Sequence, residues 1–461
     1  MKKKLSDLPK EKLKKLSSTI SELTEQDGKK EKEPISWYDG KNIDELAYCE
    51  YFIRKHPLRC IQGRLYDING LISDTEFIRK EILDDITVFV RQGIARKAAR
   101  LLETLMLMAY SEMPDRQTDR IHTLNGTYFV DGRFSREKEF CLNRLSVNYN
   151  PNAAVPKEWY KFLRQLFDDE DILTLQEYMG YCFLPTTKGQ KMMIIVGNGG
   201  EGKSRIGRVM RALIGDNMNT GGIQKFETDR FSRADQEGKL LFLDDDMMLE
   251  ALPQTNYLKA IITLEDKIDL EKKGQQSIQG ILYLRIMCFS NGNLNALYDR
   301  SIGFFRRQLV LSVKRKEPDR VDDPFIAEKL IAEKEGIFLW CLQGLERLLK
   351  NNYLFTISEK AKANVENAMI EGNNIIMFMK SKGYIVFDKN CSSKSRDLYR
   401  SYATWCDENL EKPLSERTFT TYLKQNQTEY GIEYIPNLTC KTGKTARGYK
   451  GIYCIPITPI I

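Results

Sequence analysis

Apolar positions recur at three- and four-residue spacing in "DELAYCEYFIRK" and "ARKAARLLETLMLMAYSE", which predicts amphipathic helices and a mostly helical stretch from Ile35 to about Glu112. "HTLNGTYFVDGRF" breaks the pattern, and its Asn125-Gly126 and Asp131-Gly132 pairs predict the turns of a hairpin. Helical spacing returns in "PKEWYKFLRQLFDDEDILTLQEYMGYCFL" and gives way to "MMIIV", read as a short buried strand. From there to Val313 apolar runs alternate with helical patterns, the layout of an α/β domain built on a parallel sheet. "FIAEKLIAEKEGIFLWCLQGLERLLKN" closes this region with amphipathic helices. Near Gly372 the texture changes to a small module, with helices in "SRDLYRSYATWCDEN" and "SERTFTTYLKQN" and a late hairpin around "KTGKTARGYKGIYCI". At the other end, "KEKLKKLSSTISELTEQ" fits one exposed helix and "DGKKEKEP" a linker.

Composition narrows the class. The 461 residues are 42% hydrophobic and 29% charged, enough for several domains with their own cores and against disorder over most of the length. No apolar run approaches the roughly 20 residues of a membrane helix. The N-terminal lysines have no apolar segment behind them, so a cytoplasmic protein is expected. The ten cysteines are scattered without CxxC spacing and the only histidines are His56 and His122. Reduced thiols are expected, with no zinc site and no clustered histidine base. Net charge is +7, and residues 375–461 hold 13 Lys/Arg against 8 Asp/Glu. That excess fits either a solvated face or a footprint for phosphate backbones.

"GNGGEGKS" has the G-x-x-x-x-G-K-[ST] form of a phosphate-binding loop, between a strand and a basic helical pattern. Gly197, Asn198, Gly199, Gly200, Glu201 and Gly202 would turn backbone N–H groups towards phosphate oxygens, at the positive end of the following helix. Lys203 would reach the β- and γ-phosphates of ATP, and the Ser204 hydroxyl would ligate Mg²⁺. Downstream, "LLFLDDD" places aspartates at a strand end. Asp244 is assigned to the metal and Asp245 to polarising the attacking water, with Asp246 able to replace either. "LRIMCFSNGN" ends in Asn291, whose amide would orient water or sense the γ-phosphate if its strand lies between the other two. Arg306 and Arg307, before the run "QLVLSV", are candidates for an arginine finger given to a neighbouring subunit.

These elements, in this order, resemble superfamily 3 AAA+ helicases, and more narrowly the phage, plasmid and poxvirus primase-helicase group. "LNGTYFVDGRF", "LSVNYNPNAAVPKEWYKFL" and "LQEYMGYCFL" are similar to the domain that precedes the motor there, and "LYRSYATWCDEN…LSERTFTTYL…RGYKGIYC" to a C-terminal winged helix. The resemblance implies an AAA+ motor with a central parallel sheet over residues 156–371. It implies a mainly helical domain with a hairpin over 35–155, a winged-helix DNA-binding domain over 372–461, and a lysine-rich segment over 1–34. With no acidic cluster for a primase, the chain looks like a replication initiator helicase of a staphylococcal mobile element. The resemblance implies a homo-oligomer, a hexamer, that travels 3′→5′ on single-stranded DNA. In "LEKKGQQS", Lys272 and Lys273 would form a hairpin tip in the ring's channel. Arg396, Arg400, Lys441, Lys444 and Arg447 would hold duplex phosphates beside a reading helix in "SERTFTTYLKQN". Tyr399, Tyr402 and Trp405 are read as core. The rival from another class is an ATP-switched adaptor or helicase loader that does not translocate; a DNA-packaging ATPase is disfavoured because no nuclease-like acidic cluster follows.

Overall fold

Acidic first turns and side-chain caps start the first two helices where the apolar periodicity begins. Asp44 accepts the N–H groups of Leu46 and Ala47 ahead of α1 (Glu45–Lys55), and Asp74 accepts that of Glu76 ahead of α2 (Thr75–Ile86). With α3 (Ile94–Met108), these helices bury Tyr48, Phe52, Ile82, Leu101 and Leu105 in one core. The computed structural model describes residues 36–247, 255–263, 267–274, 276–291, 302–372, 374–439 and 445–455. The expected N-terminal helix and linker lie outside them. Between α1 and α2 the chain forms a meander that the helical reading had passed over: β1 (Arg59–Ile61), β2 (Arg64–Asp67) and β3 (Gly70–Leu71). Strands of two to four residues are too short to show an alternation, and Gln62 and Gly63 make the first turn with φ of 51° and 73°.

This first compact unit ends at Pro114, and the second begins at Asp115, ahead of the hairpin rather than near residue 155. The expected hairpin forms from β4 (Arg120–Thr123) and β5 (Gly126–Phe129), with β6 (Phe134–Ser135) as a third strand. It belongs with the second unit because the segment following it is tied there. The Ser146 N–H donates to the Leu213 carbonyl at 2.8 Å, and the Asn143 amide to the Asn217 side chain at 2.9 Å.

After α4 (Lys157–Leu166) and α5 (Asp169–Tyr181) comes β7 (Met192–Gly197), the predicted "MMIIV" strand, and then α6 (Ser204–Ile214). β8 (Met218–Thr220) and β9 (Leu241–Asp244) follow, then an antiparallel hairpin of β10 (Ile268–Leu270) and β11 (Ile278–Gly280), then β12 (Arg285–Asn291) and β13 (Gln308–Ser312). Five of these strands make one parallel sheet in the order β13-β7-β12-β9-β8. The Asn291 strand therefore does lie between the glycine-loop strand and the aspartate strand. Both faces are covered, as a parallel sheet requires. Met193, Ile195, Met287 and Phe289 face Ile206, Tyr178 and Phe338, while Met192, Ile194, Ile286 and Val310 face Phe226, Leu258 and Phe304. Each such side chain contributes about 1.5–3 kcal/mol on burial, so the strand ends that carry polar residues stand on a rigid base.

α7 (Lys334–Lys350) packs along α5, where the buried Glu177 carboxylate accepts from the Arg347 side chain and from the Thr356 N–H at 2.7 Å. α8 (Glu359–Gly372) lies along β13, and Asn364 donates to the Val310 carbonyl at 3.1 Å and the Ser312 hydroxyl at 3.2 Å.

The C-terminal module has α9 (Asn374–Lys380), α10 (Ser395–Glu408) and α11 (Glu416–Gln425) around Phe378, Leu398, Phe419, Leu423 and Ile452. Tyr402 and Trp405 are buried in this core and Tyr399 packs against it. β14 (Ile385–Lys394), β15 (Glu433–Thr439) and β16 (Thr445–Cys454) form an antiparallel sheet ordered β14-β16-β15. The late hairpin is thus β15–β16, longer than expected, and β14 is an addition whose mostly exposed side chains left no alternation to read. Among the described residues no helix is long and apolar enough to cross a membrane, and nine cysteines are free.

Candidate functional site

Parallel pairing decides which side chains meet. β12 aligns Asn291 with Gly197, the first residue of the loop, but aligns Cys288 with Asp244. β12 therefore runs three residues beyond the end of β9 and carries its terminal amide over the loop. The loop turns on Gly199, Gly200 and Gly202, whose φ values of 98°, 81° and 105° suit glycine and strain other residues. At Gly197 a Cβ would come within 2.6 Å of the Lys203 ammonium. α6 starts at Ser204, so its positive end faces the loop.

Inside the loop the donors converge on one carboxylate. Glu201 accepts the N–H of Asn198 at 2.6 Å and of Gly199 at 3.0 Å, and its Oε2 is 2.9 Å from the Lys203 Nζ. Burial works to raise the Glu201 carboxyl, but Lys203 and the backbone donors outweigh it and hold it below the ordinary carboxylate range. Lys203 also donates to Asn291 Oδ1 at 3.1 Å, and Asn291 Nδ2 reaches Asp246 Oδ1 at 3.4 Å.

The aspartates have different surroundings. Asp244, the expected metal ligand, is buried, and its carboxylate accepts from the Ile223 N–H at 2.8 Å and the Asp246 N–H at 3.2 Å. Burial pushes its carboxyl above the usual range. It fastens the loop before Phe226 to the sheet. Asp245, one residue past the strand end, is exposed and lines a cavity of about 850 Å³ with the glycine loop, Ser204 and Asn291. The other wall combines Lys161, Phe162 and Gln165 of α4 with Arg320, Pro324 and Ile326. Arg320 donates to the Glu201 carbonyl at 2.9 Å, so a residue far along the chain braces the loop backbone. The sequence reading missed Arg320 and Phe162: neither lies in a motif, and only tertiary packing brings them to the loop.

Arg306 and Arg307 precede β13, whose first residue, Gln308, pairs with Met192 at the start of β7. They stand at the end of the sheet opposite the loop and line neither its cavity nor its rim. Arg306 is exposed; Arg307 donates to the Gly303 carbonyl, and burial lowers its affinity for a proton. The β10–β11 hairpin exists and Gly274 takes a φ of 74° in its turn. Lys273 is exposed there, but Lys272 is held by the buried Glu237 at 2.9 Å. In the C-terminal module Arg396 and Arg400 are exposed one turn apart on α10, and Arg447 is exposed on β16. Lys441 and Lys444 lie outside the described residues. α11 starts where expected, with Ser415 accepting the Thr418 N–H at 3.2 Å, and exposes Arg417, Thr421 and Lys424.

Residues 195–307 match the model of a family of unknown function (DUF5906). Most of the chain is similar in fold to solved structures of the C-terminal region of NrS-1. Two apo structures of that region superpose with TM-scores of 0.53 and 0.51 at 13% identity, covering 88% and 87% of this chain and 99% and 98% of theirs. An A-form structure of the same region gives 0.52 at 12% identity. No curated protein matches in sequence.

Proposed function

We propose that the chain hydrolyses ATP to move along DNA, as a ring-shaped replication helicase of the superfamily 3 AAA+ type. The observation that carries this reading is the placement of Asn291 between the glycine loop and the aspartate strand, bonded to Lys203 on one side and Asp246 on the other. A polar amide at that junction can report what occupies the loop to the acidic turn. The residues suit a nucleotide. The loop N–H groups, Lys203 and the α6 terminus offer donors for phosphates, and Phe162, Pro324 and Ile326 offer an apolar wall for a base. Ser204 and Asp245 would hold Mg²⁺, which supplies charge neutralisation at the β- and γ-phosphate oxygens. Asp246, held by Asn291, is then the carboxylate left to orient a water, and Arg306 or Arg307 would serve the site of an adjoining subunit. DNA contacts fall to Lys273 and to the C-terminal module, read as a winged helix through α11, Arg396, Arg400 and Arg447. The finer parts of this reading, a hexamer, 3′→5′ travel and a role in starting replication of a staphylococcal mobile element, come from the family resemblance.

A second reading gains from one contact. Lys272 is bound to Glu237, leaving a single exposed lysine at the described hairpin tip, which also suits an ATP-switched loader that assembles on DNA without travelling. Strand displacement on forked DNA decides between them. The helicase reading expects displacement that needs ATP and a 3′ tail and vanishes in Lys203→Ala. ATP hydrolysis and fork binding without displacement would establish the loader; no hydrolysis at all would remove both.

A further inference from the structure

A second cleft, of about 800 Å³, opens beside the nucleotide cavity and is lined by cations from two elements. Lys157, Lys161 and Arg164 fall at four- and three-residue spacing on α4, so they form one stripe about 10 Å long. Lys314, Arg315 and Lys316, on the segment leaving β13, also line it, and Lys314 ties that segment to α4 by donating to the Arg164 carbonyl at 3.2 Å. Two acids, Glu317 and Asp319, also line the cleft. Some of its cations have nearby carboxylates: Lys314 meets Asp168 at 3.1 Å, Arg164 meets Asp169 at 3.6 Å, and Lys316 meets Asp322 at 2.5 Å. These are exposed pairs, of the kind worth under about 1 kcal/mol, and a phosphate can replace the carboxylate in each. Lys157 and Arg315 are exposed and in no ion pair among the described residues.

We propose that this cleft is a binding site for the sugar-phosphate backbone of single-stranded nucleic acid, separate from the hairpin and from the C-terminal module. Cations from two elements around one cleft suit a single line of phosphates, whereas a duplex presents its charge on a convex surface. The half-buried Tyr160 ring, also in the lining, adds a face on which a base can stack. The lining is dominated by cations, which hold phosphates and carry no base code, so the proposed binding is independent of sequence. The cleft shares Lys161, Gln165 and Arg320 with the nucleotide cavity. Arg320 also braces the glycine loop through the Glu201 carbonyl. A strand that draws Arg320 towards its phosphates therefore loosens or re-aims the loop. This coupling rests on the nucleotide reading; the strand-binding does not.

The test uses the full chain, with Lys157→Gln and Arg315→Gln combined, since both side chains line this cleft and neither lines the nucleotide cavity. Binding of fluorescent oligo-dT is measured without nucleotide between 50 and 300 mM salt. The loss of two phosphate contacts should lower the slope of log K against log salt by about 1.4 and weaken binding several-fold. Photocrosslinking of a bromodeoxyuridine strand should label the peptide that carries Tyr160, and the label should drop in the double variant. Unchanged slope together with no label on that peptide overturns the site. Equal competition by polyglutamate, or equal labelling by a duplex, overturns the assignment to a single strand. For the coupling, oligo-dT should stimulate ATP hydrolysis less in the double variant while DNA-free hydrolysis stays at the wild-type rate. If the wild type hydrolyses no ATP, the nucleotide reading fails and the binding result still decides the cleft.

Discussion

The Glu201 carboxylate lies 2.9 Å from the Lys203 ammonium, and both side chains are almost wholly buried, at 3% and 6% exposure. The acid holds the same cation and the same backbone N–H groups that phosphates would use, so the two anions compete. Glu201→Gln should therefore tighten binding of ATP, by about tenfold if the lost competition is near 1.4 kcal/mol. Calorimetric titration measures it. Weaker binding in the variant would mean that the acid shapes the loop rather than competing for its donors.

Asp244 and Asp245 should separate cleanly. Asp244→Asn keeps one acceptor but loses the charge that holds two backbone donors, and should cost about 1–2 kcal/mol of stability, seen as a lowered Tm. Asp245→Asn should leave Tm alone and reduce ATP hydrolysis by about a hundredfold or more, the scale of losing an electrostatic group from the reaction. The opposite pattern in a melting curve and a phosphate-release assay would restore Asp244 to the metal.

Lys272 and Lys273 are neighbours in different surroundings. Lys273→Ala should weaken DNA-stimulated hydrolysis with no change in Tm, because the side chain is exposed. Lys272→Ala removes the 2.9 Å ion pair to the buried Glu237 and should loosen the β10–β11 hairpin, which hydrogen exchange at Ile268–Leu270 would register. Equal effects of the two substitutions on DNA binding would contradict this division.

His122 gives a pH signature. It is buried between Gln117, at 2.6 Å from Nε2, and Thr127, at 3.3 Å from Nδ1, and burial first, then the charge of Arg144, lowers its pKa to about 4. The unfolded chain binds this proton near pH 6.5, the native chain only near 4, so stability is full above 6.5 and falls as pH drops between the two. The loss should approach about 3 kcal/mol at the acid end. Thermal melts at pH 7.5 and 5.5 should show a fall in Tm that His122→Gln abolishes; an identical fall in the variant would place the effect elsewhere.

The sheet and its loop were legible because each rests on local rules. Five apolar residues before a glycine run mark β7, and the condition set for Asn291, a strand between the glycine-loop strand and the aspartate strand, is met. What stayed hidden depends on packing. The Asp244–Asp246 run gives no register, since only the turn decides that Asp244 points inward to Ile223 and Asp245 outward. Arg320 reaches Glu201 across more than a hundred residues, and no spacing in the sequence announces that. The meander of β1 to β3 and the exposed β14 carry too little alternation to stand out from loops.

The sheet's rims set how copies of the chain can join. Along β13, Asn364 takes up the Val310 carbonyl and α8 covers the margin, while β8 at the far side offers only three residues, Met218–Thr220. Neither margin is a template on which another chain's strand can readily extend the ladder. Any assembly along this sheet would therefore be made by side chains meeting side chains, which can be tightened or released one contact at a time. A continuous intermolecular sheet would have to come apart as a whole.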